Sequence, residues 1–376
     1  MADLLMLFIR ASVIIVILLT AFAYLTYLER RMLAWFQWRC GPNRVGPWGL
    51  FQPIADGVKT LLKQEMIPAK ADKPLYMAAP AVILVAAFTM YSLIPVGERV
   101  WMSNLSVGLL VFLGLSSLGA YGVILAGWAS QSRYAFLGAL RSCAQVISYE
   151  LGLGLALIVP VMIVGSLNIG DIANIYASPN WSPWYLVVLL PAGLLFLASA
   201  LAETARVPFD LPECESEIVA GYHTEYSSMK YAMFPMAEYV SMTAMAAIAV
   251  HFFLGGWLLP GGWTDWLGRI TGGFVWGPPA SFGLPDDYWV ALSLTSAGLS
   301  TTLTFIVKTA LIVLVFMWIR ATWPRFRYDQ LMGFGWKVLL PAGLVLVLAA
   351  AIMLVLVPGN GEVGGQLAQV VVNHAQ

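Results

Sequence analysis

"LLMLFIRASVIIVILLTAFAYLTYLERR", residues 4–31, decides the fold. Arg10 is the only charge before Glu29, and the run exceeds the roughly 20 apolar residues a helix needs to cross a bilayer. Its positive flank, Arg30 and Arg31, follows the run, and Asp3 precedes it. A secretory signal has the opposite order: basic residues, then the apolar run, then a small-residue cleavage site. The stretch therefore predicts a retained first transmembrane helix with its N-terminus outside.

The rest of the chain repeats the pattern. Of 376 residues, 60% are hydrophobic and 11% charged, and mean hydropathy is +0.79. A soluble domain carries about 25% charged residues. Apolar runs predict eight spans, at 4–28, 75–95, 105–128, 143–165, 185–204, 229–256, 299–319 and 337–357. The expected fold class is all-α, a polytopic transmembrane helical protein forming one integral membrane domain over 1–376. No internal repeat is visible. A Gly-, Pro- and Trp-rich segment at 257–297 reads as external, and a Gly- and Gln-rich tail at 358–376 reads as frayed.

Composition excludes several functions. Twenty basic residues balance twenty acidic ones, so no global field attracts nucleic acid. Cys40, Cys143 and Cys214 form no C-x-x-C pair, which argues against an iron–sulfur cluster or redox dithiol. Three histidines, His223, His251 and His374, give no paired axial ligands for a membrane haem. The expectation is no metal and no cofactor held by this chain alone; electrons, if any, travel on partners.

Basic residues set the topology. With the N-terminus outside, sixteen of the twenty lysines and arginines fall at the cytoplasmic side, in or beside 29–74, 129–142, 205–228 and 320–337. Arg99 and Arg269 fall outside, and Arg10 and Lys308 within spans. In the first loop, Pro53 can open a helix, and Ile54, Val58, Leu61, Leu62 and Met66 recur at helical spacing. Asp56, Lys59 and Lys63 lie mainly opposite. That pattern predicts an amphipathic helix over 52–67, in the headgroup plane or on the protein's own surface.

Two charge features remain. "ARVPFDLPECESE" (205–217), within the acidic loop 203–228, carries Asp210, Glu213, Glu215 and Glu217, with Glu203 and Glu225 beside it. A solvated acidic run needs no Val207, Phe209 or Leu211, nor the stiffening of Pro208 and Pro212. The loop is expected to pack, on its own chain or on a partner. Glu213 and Glu217 would share one face of a helical turn. The second feature is charge at membrane depth, which is costly and so points to function. Glu150 lies roughly 10 Å and Glu238 roughly 14 Å into their spans at a helical rise. Lys308 sits near the middle of the seventh span. A relay of protons along these groups competes with a plain buried ion pair, such as Glu238 with Lys308. His251, near an interface, more simply bonds a carbonyl.

Several long stretches carry a resemblance. They are "LERR" (28–31), "GPNRVGPWGLFQPIADGVK" (41–59), "GWASQSRYAFLGALRS" (127–142), "SYELGLGLAL" (148–157), "AETARVPFDLPECESEIVAGYHTEYSS" (202–228), "MAEY" (236–239) and "KTALIVLVFMWIRATWPRFRYDQLMGFGWK" (308–337). From about 20 to 340 the chain resembles the H-subunit family of proton-translocating NADH-quinone oxidoreductase, respiratory complex I. The resemblance implies a membrane subunit of that respiratory enzyme, in the bacterial inner membrane, with no catalysis of its own. It would shape the chamber through which a lipid quinone such as ubiquinone is reached, at the junction with the peripheral arm. It would also couple quinone reduction to proton translocation. Flavin and iron–sulfur clusters would belong to partner subunits: the peripheral-arm quinone-site and terminal-cluster subunits, beside small membrane and antiporter-like subunits. Carried over by position, Arg30, Arg39, Asp56, Arg206 and Phe209 would line the quinone chamber. Glu150, Glu203, Asp210, Glu213, Glu215, Glu217, Glu225 and Glu238 would form the proton path, to which the depth of Lys308 adds that residue. Many members carry a further carboxylate in the third span; this chain has Ser116 and Ser117 and no acid there. Competing readings are a stand-alone proton or cation transporter, a related membrane-hydrogenase subunit, and a purely structural anchor.

Overall fold

The computed structural model describes residues 2–97, 102–175, 182–210, 220–257 and 296–356, with side chains from residue 11 and, in the last segment, from residue 301. The expectations for Leu211, Glu213, Glu215 and Glu217, for most of 257–297 and for the tail lie outside these residues. Among the described residues the chain is helical, with no strand. Eight helical segments are long and apolar enough to span a bilayer.

The chain begins with α1 (Ala2–Phe36), followed by a 3-10 turn (Pro47–Gly49) and α2 (Gln52–Leu62). Then come α3 (Lys73–Tyr91), α4 (Gly108–Ala129), α5 (Arg133–Val164), the short α6 (Ile169–Ala173) and α7 (Leu186–Glu203). A 3-10 turn (Gly221–His223) leads to α8 (Ser228–Phe253). Last are α9 (Ser296–Thr322) and α10 (Tyr328–Phe334), which runs through a π turn (Gly335–Leu339) into α11 (Leu340–Leu356).

Three helices outrun their hydropathy. α5 starts ten residues before the expected 143, α1 runs to Phe36, and the eighth span starts at Tyr328. Hydropathy registers only the oily part of a helix. Residues 133–142 hold no proline, and Ala135, Gly138, Ala139 and Ser142 bury one face, so the helix continues into the polar zone.

The most enclosed span is α8, with α5 and α7 close behind, while α1 and α11 lie at the rim. The α8 core is built from small residues: Ala244, Ala246, Ala247 and Ala249 are all buried. In a membrane, helices gain from close backbone approach rather than from hydrophobic exclusion, so small residues gather at such contacts. Gly138 is the sharpest case. A Cβ there would lie 2.7 Å from Gly221 Cα and 2.9 Å from its carbonyl carbon. Both are backbone atoms and cannot step aside. Gly138→Ala is expected to destabilise by about 1–3 kcal/mol, the usual penalty of overpacking. Gly154→Ala, where nothing lies within 4 Å, should be neutral or better. Thermal inactivation half-lives of the two solubilised variants would check this; equal half-lives would refute it.

α2 forms as expected, with Pro53 in its first turn. It buries no residue, and Ile54, Val58, Leu61 and Leu62 are all exposed. It ends at Leu62, five residues before the expected 67. The reason is Ser228, whose hydroxyl lies 2.9 Å from Thr60 O and 2.8 Å from Lys63 O. It thereby satisfies carbonyls that a helix end leaves open. Ser227 Oγ accepts Met66 N–H at 3.0 Å, holding the following residues extended along the start of α8.

Candidate functional site

The charged groups converge where α1, α7, α8 and α9 end on one side of the bundle. Glu29 shares an α1 face with Leu18, Leu25 and Met32, which face the core, and is 2% exposed. Arg206 Nη1 reaches both Glu29 oxygens at 3.1 Å. Arg320, in the last turn of α9, binds Glu29 from another direction. The Arg206 guanidinium also lies over the Tyr239 ring, 4.0 Å from its centroid. One carboxylate thus ties together α1, the loop after α7, and α9, with an α8 aromatic face beneath.

Burial by itself lowers the Arg206 pKa, but the neighbouring charges, Glu29 foremost and then Tyr239 and Glu238, more than reverse this. The net shift is upward from the ordinary guanidinium value, so Arg206 stays a cation.

The described part of the acidic loop is packed on its own chain. Gln145 of α5 donates to Ala202 O and Phe209 O, both at 2.7 Å, using both amide protons. Buried Phe209 meets Tyr149 at 5.5 Å, Phe326 at 5.6 Å and Phe334 at 6.5 Å between ring centroids. Phe326 N–H donates to Pro208 O at 3.1 Å, and Arg325 Nη2 to the buried Asp210 carboxylate at 3.1 Å. Phe209 and Pro208 therefore pack as their presence suggested, with α5 and the α9–α10 connection as the surface, while Leu211 and Pro212 lie outside the described residues.

Beside this junction lies a cavity of about 80 Å³ between α3, α4, α5, α7 and α8. Ser116, Glu203, Thr204, Tyr222, Glu238 and Ser241 supply its polar wall. A water needs roughly 10–15 Å³ of such space, so several waters fit. Glu203 Oε2 is buried with no hydrogen-bond partner among the described residues. Tyr222 O–H donates to Glu238 Oε1 at 3.1 Å. Glu150, on α5 and outside the cavity lining, accepts a hydrogen bond from Ser117 of α4. It is close enough to Glu203 for their charges to interact.

The remaining expected residues fall in separate places. Arg30 and Asp56 pair at 2.7 Å, clamping α1 to α2, with Gln52 donating to Asp56 at 3.1 Å. Arg39 is exposed and donates to Gln37 at 2.6 Å. Glu225 is half-buried, and its backbone carbonyl accepts from Tyr76 at 2.7 Å. Lys308 departs from expectation. Its ammonium donates to Leu254 O at 2.8 Å and Gly256 O at 3.1 Å, at the far end of α8. Sixteen residues of helix, roughly 24 Å, separate that point from Glu238. The open carbonyls of a helix end hold this lysine, so it neither pairs with Glu238 nor joins the cavity. His251 Nε2 is 2.7 Å from Pro95 O and its ring stacks on Phe305, the simpler of its two readings.

Sequence reasoning passed over Glu29, Gln145, Tyr222, Tyr239 and Arg320. Glu29 had a usable signal, because 25, 29 and 32 follow helical spacing onto the α1 face that packs inward. Arg320 and Tyr239 had none, since their importance comes from partners far away in the chain.

Comparison with known proteins adds independent findings. The family model described as NADH dehydrogenase matches residues 9–351. "NADH-quinone oxidoreductase subunit 8" of Thermus thermophilus is 44% identical over 354 residues, 92% of this chain and 86% of that protein. The H subunit of NADH-quinone oxidoreductase from Rickettsia bellii is 45% identical over 338 residues, 90% of both chains. The Rickettsia rickettsii protein of that name matches equally well, at 45% over 338 residues.

Proposed function

We infer the role of this chain from one premise: it belongs to the NADH dehydrogenase family. It is a multi-pass membrane protein that works as the subunit of an NADH-quinone oxidoreductase linking quinone reduction to proton movement. The observation that carries the coupling is the shared cavity. The carboxyls of Glu203 and Glu238 open onto the same space as Thr204, Ala205 and Tyr222, which flank the acidic loop.

The mechanism follows from charge. Reducing a quinone to a quinol takes two electrons and two protons. The electrons arrive through partner subunits, which hold flavin and iron–sulfur clusters; this chain holds neither. Proton demand at the quinone changes the charge of the loop bearing Asp210, Glu213, Glu215, Glu217 and Glu225. Glu203 answers by giving up or taking a proton across the cavity to Glu238, and toward Glu150, from which it passes to antiporter-like neighbours. Arg206, held as a cation on Glu29, fixes the loop's root. The quinone approaches from the lipid beside α2, whose exposed Ile54, Val58, Leu61 and Leu62 suit the headgroup boundary. Exposed Trp35, Trp38 and Trp48 fit the same depth. The Arg30–Asp56 clamp holds α2 at this opening, with Arg39 nearby in sequence. The basic side faces the cytoplasm of a bacterial inner membrane.

The test is purification of the tagged chain from native membranes. The expected product carries flavin and iron–sulfur absorbance and oxidises NADH with a quinone, sensitive to quinone-site inhibitors. A chain that emerges alone and moves cations without NADH would overturn the reading in favour of a transporter.

A further inference from the structure

The cavity is lined by Glu203 and Glu238, but Glu150, on α5, is not among its lining residues. Two adjacent α4 hydroxyls link the two places. Ser117 donates to Glu150, and Ser116 lines the cavity together with the Glu203 carboxyl. Both have an acceptor on their own helix, and it is the same atom. Leu113 O lies 2.9 Å from Ser116 Oγ and 3.1 Å from Ser117 Oγ. Ser117 can therefore turn its single proton toward the helix carbonyl or toward Glu150, and Ser116 toward that carbonyl or the cavity. Ser116 is buried and lines the cavity, and Ser117 is half-buried. Glu203 Oε2, buried without a partner among the described residues, leaves that carboxyl one free position for a proton or a water.

We propose that Ser116 and Ser117 form a hydroxyl bridge that carries protons between Glu203 and Glu150. This rests on the proton-path reading above and deepens it. When a carboxylate is charged, its serine donates to it. When the carboxyl is protonated, the serine turns to Leu113 O and accepts instead. In transfer, the O–H bond of protonated Glu203 breaks as one forms on Ser116 Oγ, which releases its own proton through cavity water to Ser117 Oγ. Ser117 in turn releases its proton to Glu150. Each hydroxyl ends with one proton, Glu203 ends charged and Glu150 neutral. Rotation about the serine side chains resets the bridge, and no electron moves.

Threonine and valine have nearly the same shape and differ by a hydroxyl, so they separate relay from packing. Ser117→Thr and Ser117→Val, and the same pair at Ser116, are compared in the assembled complex in native membrane vesicles, with Glu203→Gln as reference. Proton uptake per NADH oxidised and its pH profile are read together. The expected result is a tenfold or greater loss of uptake in each valine variant, with threonine near the parental rate. If Glu203→Gln abolishes uptake while both valine variants pump normally, the bridge is overturned and the path through Glu203 stands. Unchanged uptake in Glu203→Gln overturns the path itself, and the bridge with it. Equal losses in threonine and valine variants would also overturn the bridge, because shape alone would then account for them.

Discussion

Glu29→Ala is expected to leave almost no assembled complex in the membrane. Arg206 and Glu29 keep only 7% and 3% of their side chains exposed. Removing one partner of a buried pair strands the other's charge, at a penalty of about 3–5 kcal/mol. Arg320 loses the same carboxylate but, at 31% exposed, keeps access to solvent, so the buried charge left behind is that of Arg206. Arg30→Ala, one residue along, provides the contrast. Its pair with Asp56 is half exposed, at 50% and 33%, and such pairs contribute about 0–1 kcal/mol. Native-gel quantification of complex in membranes would compare them, and equal yields would refute the assignment. The effect should also be independent of pH. The raised Arg206 pKa contributes stability that is full below the ordinary guanidinium value and is lost only above the raised one. Both lie beyond any pH at which the complex works. The yield ratio of the two variants should therefore not vary between pH 6 and 9, on the order of three decades of proton concentration.

Glu203→Gln is expected to abolish proton uptake with the complex assembled. Glutamine keeps the shape and a hydrogen-bonding end group, so the fold should survive. It cannot accept or release a proton at working pH. A positioned proton-transfer group contributes about 10²–10⁴-fold, so uptake should fall on the order of 100-fold. Glu65→Gln serves as control. That residue is 43% exposed and pairs with Lys230 at 3.2 Å, away from the cavity wall, and should pump normally. Vesicle acidification alongside NADH oxidation is the measurement. Normal pumping by Glu203→Gln would remove Glu203 from the path.

How much of this was legible beforehand varies residue by residue. The packing of Phe209 was legible, because an aromatic between two prolines in an acidic run has no reason to be solvated. α2 was legible in type and start but not in length, since its end is set by Ser228, more than 160 residues away. That Glu150 and Glu238 lie inside spans was legible from the apolar runs. Their company was not. Lys308 shows why: at a suitable depth it still belongs to the opposite end of α8. The serines of α4 stood out in sequence only as a missing acid, and their shared acceptor at Leu113 O needs coordinates to be seen.

The sequence by itself determined the class of protein, the number of spans and the existence of the amphipathic helix α2. These follow from transfer free energies that add residue by residue along a short window, so neighbours in the chain suffice. Only the tertiary structure decided which charges answer one another. Glu29 meets partners 177 and 291 residues distant, and a Coulomb or hydrogen-bond energy depends on separation in space. No local pattern encodes that separation. It is set when the helices pack, and with it whether a buried carboxylate becomes a clamp, like Glu29, or opens onto a cavity, like Glu203.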